Sequence, residues 1–259
     1  MEARQTQMQD FVDSLDKLKA FIQVSPQEEE AITTMPTKWG TTPYFAGLMD
    51  PEDPACPIRR QVIPSLQERQ NRYGVENYLI WKENRDTEEI RPDSIARQYE
   101  DRVAFTVTDV CANYCRHCFR KEAVVDRELK LRMDVEEGLD WIRAHPEVRD
   151  VLITGGDPFL LSDDKIEYLI RKLREMSHIQ MIRFGTRTPI VLPQRITEGL
   201  TRVLDGFHKV PVWINTQCNH PKEITETTAR GIITTLPSGV HHSKHTGRRA
   251  CHNNALSTV

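Results

Sequence analysis

Three cysteines lie within eight residues of one another, in the segment 109–120. Cys111, Cys115 and Cys118 follow the spacing Cys-x3-Cys-x2-Cys. Three thiolates on one short loop can hold three irons of a cubic [4Fe–4S] cluster and leave the fourth iron without a protein ligand. An open iron can bind a small molecule, as the open position of a catalytic zinc does. The spacing therefore predicts an iron–sulfur cluster with an open coordination position.

Two alternatives remain open for this cysteine loop. A zinc ion could use the three thiolates with His117 as a fourth ligand, although structural zinc sites more often use two separated pairs of ligands. The three cysteines could also carry no ligand. The other cysteines, Cys56, Cys218 and Cys251, are scattered. We predict that these three are small core or surface residues with free thiols.

Alternating strands and helices must position the loop. Short runs rich in β-forming residues occupy 103–108, 150–154, 180–184 and 210–215, and helical patterns occupy 134–144, 163–176 and 195–206, with another starting near Lys222. Strands that alternate with helices predict βα units and a parallel sheet, an α/β fold. The cysteine loop follows the first of these strands, and α/β folds build active sites at the carboxyl ends of parallel strands.

The first hundred residues have a different texture. Apolar residues at helical spacing predict a helix over 7–23, and Ser25, Pro26 and Glu28 predict the start of a second helix. Five prolines in 42–64 exclude a long helix there. We expect 42–64 to be an extended arm that wraps another part of the protein, and 66–100 to be irregular cover.

Composition restricts the class of protein. The chain has 259 residues, 38% of them hydrophobic, and 35 basic against 38 acidic residues give a net charge of −3. This balance gives no footprint for nucleic-acid binding. No apolar stretch is long enough for a membrane helix, and the polar start has no signal-peptide core. We therefore predict a cytoplasmic globular protein of one or two domains, with no nucleic-acid or membrane partner.

Several motifs together resemble one enzyme family. The cysteine loop after a first strand is similar to that of radical S-adenosylmethionine (SAM) enzymes. Within them, the runs DVLITGGDPFLLSD, IRFGTRTPIVLPQRIT and VWINTQCNHPKEIT resemble the lysine/glutamate 2,3-aminomutase family, as does TPYFAGLMDPEDPACPIRRQVIP. The resemblance implies a partial TIM-like (βα) radical SAM barrel of about four βα units over 101–230. It also implies a helical and extended arm over 1–100, and leaves 231–259 as an aberrant tail.

The resemblance implies which residues hold the cofactors. The cluster on Cys111, Cys115 and Cys118 would chelate SAM, whose other contacts would come from the turn after the second strand and from the end of the fourth strand. The glycine turn could instead be a simple strand-to-helix turn. The implied SAM residues are Gly155, Gly156, Asp157, Asn215 and Gln217.

Further residues are implied for the substrate and for pyridoxal phosphate (PLP). Arg120 matches the position that binds the α-carboxylate of the substrate, although Arg120 and Lys121 could be plain solvated charges. Tyr99 and Arg102 precede the first strand, where relatives hold PLP. In the run 183–189 two guanidinium groups near the mouth of the barrel could pair with a carboxylate or phosphate, or could be solvated.

The implied reaction moves an α-amino group to the β-carbon of an amino acid, lysine or glutamate. Its partners would be the amino acid and a reductant that supplies one electron, and a homo-oligomer stays open. Alternatives are an inactive chain that binds the cluster and SAM, an aminomutase acting on a lysine of a protein, and a zinc-binding interaction module.

The sequence departs from the family pattern after Gly231. The tail is rich in histidine, shows neither helical nor strand periodicity, and contains no glycine-rich segment with the lysine that binds PLP in the family. We expect a truncated or frame-shifted reading of a longer gene. A four-strand half-barrel would leave two unpaired edges, so we also expect poor solubility or dependence on a partner chain.

Overall fold

A six-stranded sheet forms the centre of the molecule. The computed structural model describes residues 8–70, 91–118, 134–204, 209–235 and 241–245. The strands follow one another across the sheet in chain order, β2 to β6 run parallel, and β1 pairs antiparallel with β2 at one edge. Their bounds are β1 Ile95–Tyr99, β2 Arg102–Thr106, β3 Asp150–Thr154, β4 Met181–Thr186, β5 Val212–Gln217 and β6 His241–His245. The carboxyl ends of the five parallel strands therefore meet at one edge.

The sheet is buried on its outer face. Alternate residues such as Val151, Ile153 and Phe184 are fully buried, and they join the helices in one large core. The residues between them are partly exposed and line the opposite face, where an added Cβ at Gly185 would lie 3.5 Å from Leu152. This period of two along β3, β4 and β5 separates a packed face from an accessible one.

Helices connect the parallel strands and cover the outer face. Asp134 caps the first of them by accepting a hydrogen bond from the backbone of Glu137 at 3.0 Å. Short 3₁₀ turns lie at Pro158–Leu160, Pro193–Arg195 and Pro221–Glu223. The helices are α4 Val135–Ala144, α5 Asp163–Arg174, α6 Thr188–Val191, α7 Glu198–Leu204 and α8 Glu226–Thr235, after α1 Leu15–Lys19, α2 Pro26–Thr34 and α3 Pro43–Ala46 in the first part of the chain.

The N-terminal arm, residues 8–70, packs near the carboxyl edge of the sheet. Its apolar side chains, among them Phe45, Ile58 and Val62, form a second core together with Ile190 and Val191 of α6. The arm includes 3₁₀ turns at Arg59–Gln61 and Leu66–Gln70. No helix among the described residues has the length and apolar character needed to cross a bilayer.

The structure confirms the mixed α/β fold and four predicted strands, and it adds two strands. β1 lies in a segment predicted to be irregular. It forms a strand because the chain turns after it and pairs β1 with β2 in an antiparallel hairpin. β6 lies in the tail, where no strand periodicity is visible, and it forms by pairing with β5. The parallel part therefore has five strands where we expected four. The division of the chain at residues 100 and 230 stays a prediction.

The structure also changes two predicted helices. The segment 7–23 does not form one helix, because Val12 pairs with Thr41 (N to O, 2.8 Å) and Ser14 caps a separate α1. The helix expected near Lys222 begins only at Glu226, after a 3₁₀ turn. The capping box of α2, formed by Ser25 and Glu28, is present as predicted.

Candidate functional site

The cysteine loop lies beyond the carboxyl end of β2. Cys111, Cys115 and Cys118 are partly buried. Within the described parts of the chain, no three His, Cys, Asp or Glu side chains are placed together as metal ligands, so neither the cluster nor the zinc alternative is preformed. Thiolate sites commonly close around their metal on binding. The donor set, three thiols on one loop at the edge where α/β sites form, fits an iron–sulfur cluster.

The arm holds the backbone of the cysteine loop. Tyr114 donates its amide N–H to the carbonyl oxygen of Gly40 at 2.9 Å, and Arg116 donates to that of Gln61 at 2.9 Å. Asn113 also forms a β-bridge with Thr41. Residues distant in sequence therefore fix the loop between its cysteines.

The Arg116 side chain adds a buried ion pair to this attachment. Its Nε and Nη2 donate to the two carboxylate oxygens of Glu68 at 3.0 and 2.7 Å. Nη1 donates to the carbonyl oxygen of Lys38 at 2.9 Å, and Nη2 also donates to Oγ1 of Thr37 at 2.6 Å. A forked guanidinium–carboxylate pair is among the stronger and more directional contacts available to side chains. Arg116 therefore anchors the loop to the arm.

Arg187 contacts the middle cysteine of the loop from across the sheet. This residue follows β4, and its Nη1 lies 2.9 Å from Sγ of Cys115. Sγ of Cys115 accepts a second hydrogen bond from Nδ2 of Asn113 at 3.0 Å. One sulfur of the predicted cluster site therefore receives two N–H donors, one of them charged.

The Arg187 guanidinium is buried, and it also contacts residues outside the cysteine loop. Nη2 donates to Oε1 of Gln61 at 2.6 Å and lies 3.4 Å from Oε2 of Glu223, and Nε donates to the carbonyl oxygen of Gln217 at 3.3 Å. The Phe45 ring covers it at 5.4 Å. Burial disfavours the charged form, but the electrostatic interactions and hydrogen bonds with Cys115 and Glu223 outweigh it and raise the pKa of Arg187.

The two glycines after β3 allow a close approach to the cysteine loop. Gly155 has φ +140°, and a Cβ there would lie 2.2 Å from the carbonyl oxygen of Thr108. A Cβ at Gly156 would lie 2.2 Å from the carbonyl oxygen of Val110. The Gly156 amide donates a hydrogen bond to the carbonyl oxygen of Thr108 at 2.6 Å. The described contacts thus place backbone where a side chain would be. That these glycines also bind SAM stays a prediction.

Asp157 joins the ends of two strands. Its Oδ1 accepts from the amide of Phe159 at 3.1 Å and from the Thr186 hydroxyl at 2.5 Å, and its Oδ2 accepts from the amides of Arg187 and Thr188, each at 2.9 Å. Burial raises the pKa of this carboxyl group despite these donors. Both oxygens are used in holding the β4 turn, so the geometry assigns Asp157 a structural role. Its predicted contact with SAM is untested.

Asn215 and Gln217 lie at the carboxyl end of β5. Nε2 of Gln217 donates to Oδ1 of Asn219 at 2.9 Å, and Nδ2 of Asn219 donates to Oε1 of Gln61 at 2.8 Å. Asn215 pairs in register with Gly185 and Ser243 on neighbouring strands. The structure brings both residues to the edge that holds the cysteine loop, and their binding of SAM stays a prediction.

Other predicted residues lie elsewhere. Arg102 begins β2, at the amino end of the sheet, where it pairs with Asp101 at 2.8 Å and stacks on the exposed ring of Tyr99. The structure therefore does not bring Tyr99 and Arg102 to the cysteine loop, and we do not include them in the site. Arg183 pairs with Asp150 at 2.8 Å and is not a free cation at the mouth. Arg120 and Lys121 lie outside the described residues.

Most of the contacts in the buried network could not be predicted from the sequence. Glu223 and Gln61 meet there, with Nε2 of Gln61 donating to Oε1 of Glu223 at 2.6 Å. Both belong to runs that resemble the family, but they lie 162 residues apart, and the runs do not show that these two side chains meet. The run 183–189 did indicate guanidinium groups, and Arg187 is the one that reaches the cysteine loop. His220 has a structural contact, because its Nδ1 accepts from the Lys222 amide at 3.1 Å. Cys56 and Cys218 are buried, which is one of the two placements predicted for them.

The chain is similar in sequence to known proteins over 90% of its length. Residues 105–233 match the Radical SAM superfamily. The chain is 39% identical over 238 residues to L-lysine 2,3-aminomutase of Clostridium subterminale, covering 90% of this chain and 56% of the relative. It is 36% identical over 243 residues to glutamate 2,3-aminomutase of Clostridioides difficile, covering 90% of this chain and 54% of that relative. The chain spans little more than half the length of these two relatives.

Proposed function

Because this chain carries a radical SAM domain over residues 105–233, we propose that it binds a [4Fe–4S] cluster and SAM and takes part in the 2,3-aminomutation of an amino acid, lysine or glutamate. The single observation that supports this best is the cysteine loop at the carboxyl edge, with Arg187 on Cys115 and Arg116 fixed to the arm. Cys111, Cys115 and Cys118 would hold the cluster.

A [4Fe–4S] cluster held by Cys111, Cys115 and Cys118 would supply the electron for the reductive cleavage of SAM, and the cofactor would then provide the radical chemistry. The described residues prepare the place for that chemistry. The two glycines let the β3 turn lie against residues 108–110, and Asp157 holds the adjoining β4 turn. The Phe45 ring and the apolar arm cover one side of the site, which limits the access of water.

PLP is part of the resemblance to the aminomutases. The described residues predicted to contact it, Tyr99 and Arg102, lie at the amino end of the sheet, so they do not fit a PLP site beside the cysteine loop. We therefore assign no role in the reaction to PLP. We propose lysine or glutamate as the substrate, because the relatives include an L-lysine 2,3-aminomutase and a glutamate 2,3-aminomutase.

Anaerobic reconstitution with iron and sulfide tests the proposal. We expect about four irons per chain and a broad absorption band, and, after reduction with SAM, 5′-deoxyadenosine measured by chromatography. Replacing any one of Cys111, Cys115 or Cys118 with Ala should abolish both. Cys56→Ala is the matched control, because that thiol is buried in the second core, accepts from the Asp50 amide at 3.3 Å and is not one of the three clustered cysteines, so both signals should persist.

The same preparation then tests the reaction. Incubation with lysine and with glutamate, separately, should yield the corresponding β-amino acid from one of them. 5′-Deoxyadenosine without any β-amino acid would support the alternative of a chain that binds the cluster and SAM without aminomutation. Failure of the unsubstituted chain to take up iron would contradict the proposal as a whole.

A further inference from the structure

A buried cation touches a sulfur that would ligate the cluster. We propose that Arg187 is a positioning residue that raises the reduction potential of the iron–sulfur cluster through its hydrogen bond to Sγ of Cys115 (2.9 Å). The inference rests on the proposed function, because it requires that Cys115 is a cluster ligand. It adds a residue outside the three-cysteine motif to the electron-transfer step.

The sign of the effect follows from electrostatics. A reduced cluster carries one more negative charge than an oxidised cluster. A nearby positive charge and an N–H donor to sulfur both stabilise the reduced form, and hydrogen bonds to the sulfurs are among the features that set such potentials. Because Arg187 is only 9% exposed, water screens its charge weakly.

The geometry explains why an arginine occupies this position. One nitrogen faces Sγ of Cys115, a second faces Gln61 and Glu223, and the third faces the carbonyl oxygen of Gln217. A lysine ammonium is a single point charge and cannot make contacts in this forked arrangement. The same guanidinium therefore links the cysteine loop, the arm and the end of β5.

Glu223 provides a charge of opposite sign in the same network. It is fully buried, lies 3.4 Å from Arg187, and accepts from the amide of Asn219 at 3.1 Å. Loss of this negative charge should stabilise the reduced cluster, whereas loss of the Arg187 charge should destabilise it. Because both substitutions disturb one network, simple structural damage would shift the potential in the same direction in both variants.

The experiment is a potentiometric titration of the reconstituted full chain, followed by electron paramagnetic resonance of the reduced cluster. At a fixed potential, Arg187→Gln should lower the ratio of reduced to oxidised cluster about tenfold, which is about 59 mV for a one-electron couple. Glu223→Gln should raise that ratio. Arg195→Gln is the matched control, because Arg195 is also buried but donates to the carbonyl oxygens of Phe159 and Leu161 and should leave the potential unchanged.

The outcomes separate this inference from the proposed function. Opposite shifts for Arg187→Gln and Glu223→Gln would support it. Shifts of the same sign, or no shift, in a chain that still forms 5′-deoxyadenosine would overturn the inference and leave the proposed function standing. Absence of a cluster in the unsubstituted chain would overturn both. If Arg187→Gln takes up no cluster, Glu223→Gln alone decides: a higher potential supports the inference, and an unchanged one overturns it.

Discussion

The Arg116 and Arg187 side chains at the carboxyl end of the sheet are buried, whereas the Arg102 and Arg149 side chains at the amino end are exposed. The Arg116 side chain is 1% exposed and its partner Glu68 10%. At the other end the Arg149 side chain is 54% exposed and its partner Asp101 29%. Both ends thus contain guanidinium–carboxylate pairs of similar geometry, in very different surroundings.

The difference shows what each set of charges contributes. A buried ion pair costs much desolvation free energy, which its own attraction only partly offsets, so it is weak evidence of a stabilising role. Arg116 and Arg187 nevertheless each have several partners on separate segments, and those segments meet at the cysteine loop. The exposed pairs of Asp101 with Arg102 and Arg149 connect only the turn before β2 to the residue before β3. The buried charges therefore lie at the edge for which we propose the site, in accordance with the general placement of active sites in α/β folds.

Breaking the buried pair should have the largest effect on stability. Arg116→Met leaves the Glu68 carboxylate without its guanidinium partner in a site that water hardly reaches. We expect a loss of about 3–5 kcal/mol in the free energy of unfolding, measured by urea denaturation. Iron uptake by the cysteine loop should fall with it, because the loop loses its attachment to the arm.

Two further variants sharpen this test of the comparison. Arg149→Met removes an exposed guanidinium at the amino end, and it should change the urea midpoint very little. The double variant Arg116→Met/Glu68→Leu removes both buried charges and should regain part of the loss. Equal losses for Arg116→Met and Arg149→Met would contradict the distinction between the two ends.

The next effect concerns glycines on the same side of the sheet. Gly156→Ala places a Cβ 2.2 Å from the backbone oxygen of Val110, and that backbone cannot move without displacing the cysteine loop. We expect a loss of about 1–3 kcal/mol, as in other overpacked sites, together with weaker iron uptake. Thermal and urea unfolding would measure the first, and an iron assay the second.

Gly185→Ala is the matched control. Its Cβ would lie 3.5 Å from the Leu152 side chain, 3.6 Å from the Thr154 side chain and 3.9 Å from the backbone oxygen of Ile153. Since these are ordinary van der Waals distances and φ is not positive, Ala should be neutral or stabilise the protein by up to about 1 kcal/mol through the unfolded chain. A similar loss in both variants would show that the close approach at Gly156 is not the cause.

Much of the parallel sheet could be predicted from local patterns. The run 150–154 alternates between buried and partly exposed residues, which gives both its strand character and its packed face. Ser25, Pro26 and Glu28 similarly mark the start of α2 because capping uses residues three apart. β1 and β6 could not be predicted in this way. Both are rich in polar residues, and they become strands only because a neighbouring strand offers its backbone.

The sequence predicted the cysteine loop and several residues that reach the same edge, but not the contacts between them. The spacing of Cys111, Cys115 and Cys118 is local, so the sequence shows it directly. The Arg187 contact with Cys115 spans 72 residues, and it depends on the placement of β2 and β4 two positions apart in the sheet. Neither composition nor local spacing predicts the order of the strands in the sheet, so neither predicts this contact. Tyr99 and Arg102 are different, because they lie before and at the start of the first parallel strand and are therefore at the amino end of the sheet, opposite the loop that follows this strand.

The smallest expected effect belongs to the exposed pair at the amino end, and it should depend on pH. Asp101 accepts from Arg102 and Arg149, and these hydrogen bonds lower the pKa of its carboxyl group below the ordinary value of 3.8. A carboxyl group with a lowered pKa in the folded state stabilises the protein above the ordinary pKa and loses this contribution as the pH falls through the folded value. The Asp101→Asn variant should therefore melt at a slightly lower temperature than the unsubstituted chain at pH 7 and pH 5. The difference in melting temperature should begin to shrink below pH 3.8 and disappear as the pH falls through the lowered pKa of the folded state. A difference in melting temperature that persists unchanged at pH 2 would assign the effect of Asp101 to local packing, and the amino end would then resemble the carboxyl end more closely than its exposure indicates.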